Sequence, residues 1–322
     1  MELTLSRQAG TQVLVTCDSE PSHTFDMLTL VPGEQGPPQP VDDPVAYGTA
    51  VYQALFPPAS TARRKLDAMP ERILLVSNDD TIDAIAWEYA YGLYGADDIE
   101  NFLTLACQFV RGLPADQRIA PPVLENSLHI VAIPSNPLDQ DLPPLDIDAE
   151  WTRLKEIIRE VPNTISLERT RPPTIEQMRR LVANQRNRVV HFMGHGGQHE
   201  TGAILCFEKD NGELHPVTAR EFVMRVRGSV FLVTLNACVS ATTGPTNFSN
   251  LAAALTRHKV PYALGMRFRI LDEDARAFSR VFYNDLACGS TVEEALLQAR
   301  LTLSNSSRLW VVGVPVMYIT AI

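Results

Sequence analysis

From Leu128 onward the sequence changes its hydrophobic period at short intervals, and this alternation limits the fold more than anything else in the chain. Leu128–Ile133 reads as a strand, followed by a Pro-rich loop and a helix from about Asp148 to Val161. Thr164–Leu167 is a strand, and Thr174 caps a helix to about Arg186, with Glu176 and Gln177 in its first turn. Strands then fall at Arg188–Met193, Val230–Leu235 and Tyr262–Met266. Ala203–Phe207 with the turn Asp210-Asn211-Gly212 reads as a hairpin. Helices are expected from Thr218 to near Val226, from Asn250 to His258, and over about 273–287 and 291–304, with closing strands at 309–313 and 316–320. Strands and helices alternating at this spacing make an α/β sandwich around a mostly parallel sheet. No period of 20–50 residues recurs.

The first part is less regular. Residues 11–17 and 25–31 read as strands, Val45–Phe56 as a helix stopped by Pro57-Pro58, and Arg72–Ser77 as a short buried strand. Ile82–Tyr94 and Phe102–Arg111 fit strand or helix. The break at Pro121-Pro122 divides a smaller N-terminal α/β region, residues 1–122, from the alternating region, residues 123–322.

A net charge of −10 over 322 residues argues against a broadly basic face for nucleic acid or anionic membrane. The five cysteines (Cys17, Cys107, Cys206, Cys238, Cys288) are scattered, form no CxxC pair and fit a reducing, cytoplasmic setting. No secretory signal pattern opens the chain. The apolar stretch Leu309–Ile322 is too short and too Gly/Pro-broken to span a bilayer.

Two of the strands carry reactive side chains. Val189-Val190-His191-Phe192-Met193-Gly194 ends at His195, between glycines, and Leu232-Val233-Thr234-Leu235-Asn236-Ala237 ends at Cys238. Chemistry in parallel sheets sits in the loops beyond the carboxyl ends of strands. A thiol attacks as thiolate, which a neighbouring imidazole generates, and the same imidazole later protonates the leaving amine. The amides of Gly196 and Cys238 would hold the oxyanion. On the residues alone, a turn histidine and a buried core thiol explain the pair equally well. His191, His195 and His199 recur every four residues, but the intervening glycines oppose a helix, so no metal site is expected. Gly194–Gly197 lacks the lysine and spacing of a phosphate loop, and Ser240, Thr242 and Thr243 lack a nucleophile elbow. No cofactor is expected.

The two motifs in this order, with the helix Leu251–Leu255, the strand Tyr262–Met266 and Phe278-Ser279-Arg280-Val281-Phe282-Tyr283 ahead of Glu293-Glu294-Ala295-Leu296-Leu297-Gln298-Ala299-Arg300, resemble the CHAT family of caspase-like domains over about residues 125–320. Ile85-Ala86-Trp87-Glu88 resembles the family's Pro-Trp-Glu motif, with alanine in place of proline. The resemblance implies a caspase–hemoglobinase-like three-layer sandwich and a cysteine endopeptidase, with His195 as base and Cys238 as nucleophile. It implies a protein substrate and a regulatory partner or adjoining domain, in a prokaryotic signalling or defence system. The rival is a caspase-like scaffold that binds a partner and does no chemistry.

Specificity is expected beside Cys238, in the chain leaving Tyr262–Met266, where Met266-Arg267-Phe268-Arg269 stands in place of the family's usual tryptophan. Arg267 and Arg269 share one face if that strand continues. Asp272 is expected to cap the next helix, with Glu273 and Asp274 complementing its positive end. The stretches Gln198–Gly202 and Val239–Ser249 are expected to order on binding.

Overall fold

Leu3 and Leu5 are buried and alternate with less buried neighbours, so the chain opens on a strand, β1 (Glu2–Arg7). The computed structural model describes residues 1–33, 36–95, 100–122, 127–161, 165–183, 188–200, 202–226, 228–237, 248–268 and 270–322. They form two compact units, one of residues 1–116 with 296–314, the other of 117–295 with 315–322.

The first unit continues with β2 (Gln12–Cys17), β3 (Glu20–Asp26), α1 (Pro44–Leu55), α2 (Thr61–Leu66), β4 (Arg72–Ser77), α3 (Asp80–Ala84), β5 (Tyr91–Leu93), β6 (Glu100–Phe102), α4 (Leu103–Ala106) and β7 (Gln108–Gly112). Its main strands lie in the order β3-β2-β1-β4-β7, the hairpins antiparallel and β1–β4–β7 parallel. The expected strand over 25–31 stops at Asp26. That carboxylate accepts the Leu28 amide at 3.0 Å and turns residues 27–30 into a 3-10 helix. Pro44 opens α1 behind Asp43, whose side chain accepts the Ala46 amide.

Trp87, Glu88 and Tyr89 are fully buried and hold this unit together. The Trp87 indole donates to Ile82 O at 2.9 Å. Glu88 takes two bonds from Arg111, at 2.7 and 2.6 Å, and the same guanidinium donates to Asp83 O and Ile85 O. Buried Arg300 donates to Phe109 O at 2.7 Å; burial pulls its pKa down to about 10, opposed by Glu88. Tyr89 donates its hydroxyl to Trp310 O at 2.7 Å, and its ring lies where a Cβ on Gly313 would come within 2.6 Å. Under that ring, residues 309–313 wind as a 3-10 helix instead of the expected strand.

The second unit carries β8 (Leu128–Pro134), α5 (Ile147–Glu160), β9 (Ile165–Arg169), α6 (Ile175–Val182), β10 (Arg188–Gly194), β11 (Gly196–His199), β12 (Gly202–Glu208), β13 (Leu214–Thr218), α7 (Ala219–Val226), β14 (Val230–Ala237), α8 (Phe248–Arg257), β15 (Tyr262–Met266), α9 (Asp272–Ala287), the start of α10 (Val292–Leu303), whose residues from Leu296 on belong to the first unit, and β16 (Pro315–Ile319). Its strands lie in the order β16-β15-β14-β10-β8-β9, with β15–β16 antiparallel and the other pairs parallel. This is the mostly parallel α/β sheet that the alternation predicts. Val131, Val190, Phe192 and Val233 face one way, into a core with Met178 of α6, Phe222 of α7 and Leu251 of α8. His191 and Thr234 face the other way and meet Tyr283 of α9. Helices therefore cover both faces, as parallel strands require.

The strand order fixes where a site can form. From β8 the chain goes to its neighbour β9, then crosses back to place β10 on the other side of β8. The loops after β8 and β10 thus leave adjacent strand ends in diverging directions, and such a switch point is where open α/β sheets bind ligands. A separate antiparallel sheet, in the order β11-β12-β13, follows directly from β10.

Candidate active site

β10 is buried along its whole length and pairs with β14, Met193 opposite Asn236 and Gly194 opposite Ala237. Gly194 is required by packing. A Cβ there would meet the Phe192 ring at 2.9 Å and Ser135 O at 3.0 Å. The turn it permits leaves His195 partly exposed between β10 and β11.

His195 Nε2 lies 2.8 Å from Pro143 O. A carbonyl only accepts, so Nε2 carries the proton, and in the neutral ring Nδ1 carries the lone pair. The loop holding Pro143 is built from the end of β8. Ser135 donates its amide to Met193 O at 2.8 Å and its hydroxyl to Cys206 O at 2.7 Å. The Asn136 amide donates to Glu208 Oε1 at 2.8 Å. The Asn136 side chain accepts the Leu145 amide at 3.2 Å and donates to Leu145 O at 3.3 Å, closing the loop at its base. The switch point of the sheet thus presents an oriented imidazole. β14 ends at Ala237, and Cys238, the expected nucleophile, is the next residue in the sequence and lies outside the described residues.

His191 belongs to the interior. Its Nδ1 lies 2.5 Å from the Tyr283 hydroxyl and 2.9 Å from Thr234 Oγ1, and burial pulls its pKa down to about 4. His199 ends β11, so the three histidines lie along two strands and the turn between them.

The expected specificity residues divide. β15 stops at Met266, and Arg267 lies in the bend beyond it, buried. Arg269 lies outside the described residues. The residue at the N-cap of α9 is Leu271, with no side-chain cap bond, so Asp272 opens the helix instead of capping it. Glu273 is exposed, whereas Asp274 is buried in the first turn. Gly196 opens β11 opposite Leu205. Of the stretches expected to order on binding, Gln198, His199 and Gly202 belong to paired strands, Phe248 and Ser249 begin α8, and residues 201 and 239–247 lie outside the described residues.

Burial pushes the thiols of Cys17 and Cys206 up to about 11 and that of Cys107 up to about 12, which leaves them almost wholly protonated at neutral pH. Cys288 is exposed. Trp87 and Glu88 lie in the core of the first unit.

The sequence model of the CHAT domain matches residues 45–310. The chain belongs to the CHAT-domain family. No curated protein matches it. Among solved structures, this CHAT domain is similar to a separase–securin complex of Saccharomyces cerevisiae, at 16% identity and a TM-score of 0.45, over 77% of this chain and 15% of that one. It is also similar to gingipain R, an Arg-specific cysteine proteinase, at 11% identity and a TM-score of 0.49, over 87% of this chain and 68% of that one. The CHAT chain therefore spans about 15% of the length of the separase chain it matches. No helix among the described residues of this CHAT domain is long and apolar enough to cross a membrane.

Pro143 and Asn136 were not among the expected site residues. The Pro-rich loop after Leu128–Ile133 was the available signal, because it leaves a strand adjacent to the one that carries His195.

Proposed function

We propose that this CHAT domain is a cysteine endopeptidase in which His195 activates Cys238. The observation that carries the reading is the bond from His195 Nε2–H to Pro143 O at the switch point. It leaves Nδ1 to take the thiol proton, and the carbonyl dipole then stabilises the imidazolium that forms. The thiolate attacks the scissile carbonyl carbon, and the amides of Gly196 and Cys238 hold the oxyanion. As the C–N bond breaks, the proton on Nδ1 passes to the leaving amine. Water, deprotonated by the same nitrogen, then releases the acyl group as a carboxylic acid and restores the thiol.

The substrate is a protein, and cleavage is gated by a partner or adjoining domain in a prokaryotic signalling or defence system within the cytoplasm. The chain leaving β15 carries Arg267 and Arg269, with Asp272 and Asp274 following at the start of α9. Positive charge beside the pocket disfavours arginine and lysine before the cut and favours acidic or uncharged residues.

The test is cleavage of casein by purified protein, with labelling by a peptidyl thiol reagent. Cys238→Ala and His195→Ala are each expected to abolish cleavage, since members of one catalytic unit are strongly non-additive. The reagent is expected to label Cys238 over the buried Cys17, Cys107 and Cys206. Full proteolysis by folded Cys238→Ala protein refutes the reading.

A further inference from the structure

The strand that follows His195 is an edge. In the sheet β11-β12-β13, β11 pairs with β12 on one side and with no other strand among the described residues. The Cys206 amide donates to His195 O at 3.0 Å, so His195 turns its carbonyl towards β12. Successive residues of an antiparallel strand direct their N–H and C=O alternately to one side and the other. Gly196 therefore directs both groups away from β12, Gly197 towards it, and Gln198 away again. Ile204 pairs with Gly197 and Leu205 with Gly196 in the register this requires. β11 thus presents two sets of backbone donors and acceptors about 7 Å apart, the repeat of alternate residues in an extended peptide. The first set belongs to a glycine and adjoins a second glycine, so no side chain shields the approach of another backbone.

We propose that this edge receives an extended segment of the protein substrate as an added strand, paired through the Gly196 carbonyl and both backbone groups of Gln198, with the Gly196 amide kept for the oxyanion. The inference rests on the peptidase reading and extends it to how the substrate is held. The proton that His195 carries goes to the leaving amine, so the substrate residues on the amine side of the cut lie nearest His195. β11 runs on directly from His195, so the residues it pairs are those on the amine side. Edge-strand addition draws affinity from main-chain bonds and tolerates varied side chains.

The probes are two pooled peptide libraries with the same residues before the cut. One continues for several residues beyond it between a fluorophore and a quencher. The other ends there in an aminomethylcoumarin amide. The long peptides are expected to show kcat/KM about tenfold above the short ones, the worth of a pair of backbone bonds. In the best long peptide, N-methylation of one amine-side amide is expected to remove that advantage. Gln198→Pro deletes an N–H from the free edge and sets a ring there, while leaving the bonds to β12 intact. It is expected to lower kcat/KM on long peptides about tenfold more than on short ones. Equal rates for long and short peptides, or indifference to N-methylation at every amine-side position, overturn the edge site while the peptidase reading stands. Cleavage that persists in Cys238→Ala overturns the peptidase reading and the edge site with it. The N-methyl series uses the unsubstituted protein and stands whether or not Gln198→Pro folds.

Discussion

Substituting Pro143 would not remove the group that orients His195, because that group is a backbone carbonyl. The perturbation has to act on the loop that holds it. Asn136→Ala removes both bonds to Leu145, at 3.2 and 3.3 Å, and opens the base of the loop that carries Pro143. A neutral hydrogen bond contributes about 0.5–1.5 kcal/mol net and one to a charged group about 1.5–3. The bond from His195 to Pro143 strengthens by this difference, roughly 1–1.5 kcal/mol, when the ring becomes imidazolium in the transition state. Its loss should cut kcat about tenfold, at 1.36 kcal/mol per decade. KM should hold, because Asn136 is not placed against substrate. Asn136→Asp keeps the acceptor for the Leu145 amide and should lose less. The assay is kcat and KM on a fluorogenic peptide whose cleavage depends on Cys238, with circular dichroism to verify folding. A folded Asn136→Ala protein with unchanged kcat refutes the claim that this carbonyl orients the base.

Three further outcomes follow from the structure. Glu88→Gln leaves the buried Arg111 guanidinium without its carboxylate, a change that costs about 3–5 kcal/mol; urea unfolding should show it, and an unchanged midpoint would exclude a structural role for the pair. His191 is neutral in the fold, with its pKa near 4 against about 6.5 unfolded. The unfolded chain therefore binds the extra proton between these values: the fold loses stability as pH falls from 6.5 towards 4, by about 2 kcal/mol at pH 5, and His191→Gln should flatten that slope in urea titrations at pH 7 and 5. Residues 1–122 expressed alone lack Arg300, Trp310 and Gly313, which complete the first unit, and should give no cooperative thermal transition; a sharp melt would show this segment to be autonomous.

Much of the second unit was legible because its signals are local. Thr174 accepts the Gln177 amide at the start of α6, and Tyr262–Met266 is the strand expected, residue for residue. The errors came where distant residues decide. Leu309–Gly313 has the composition of a strand, but Tyr89, far away in sequence, packs over it and accepts no strand there. Glu2–Arg7 is a short alternating run whose pairing with β4 depends on residues 72–77. Arg267 was expected to share a face with Arg269 on a continuing strand, but β15 ends one residue before it and Arg267 is buried in the bend beyond. At the site, His195 was visible by type, whereas its orienting partner is a carbonyl that every residue carries. Only the loop's departure from a neighbouring strand could have marked it.

The division of the first unit between residues 1–116 and 296–314 bears on how the protein is made. A ribosome delivers the chain from its amino end, so β4 and β7 emerge long before Arg300 and Tyr89's partners at 310 and 313. At about 5–20 residues per second, synthesis of the intervening stretch takes on the order of 10 to 35 seconds. Throughout that interval the nascent first unit lacks its closing segment and keeps apolar surface open to chaperones, while residues 117–295 emerge behind it. The second unit waits as well, because its strand β16 lies beyond that segment, so neither unit closes until residues 296–319 have been made.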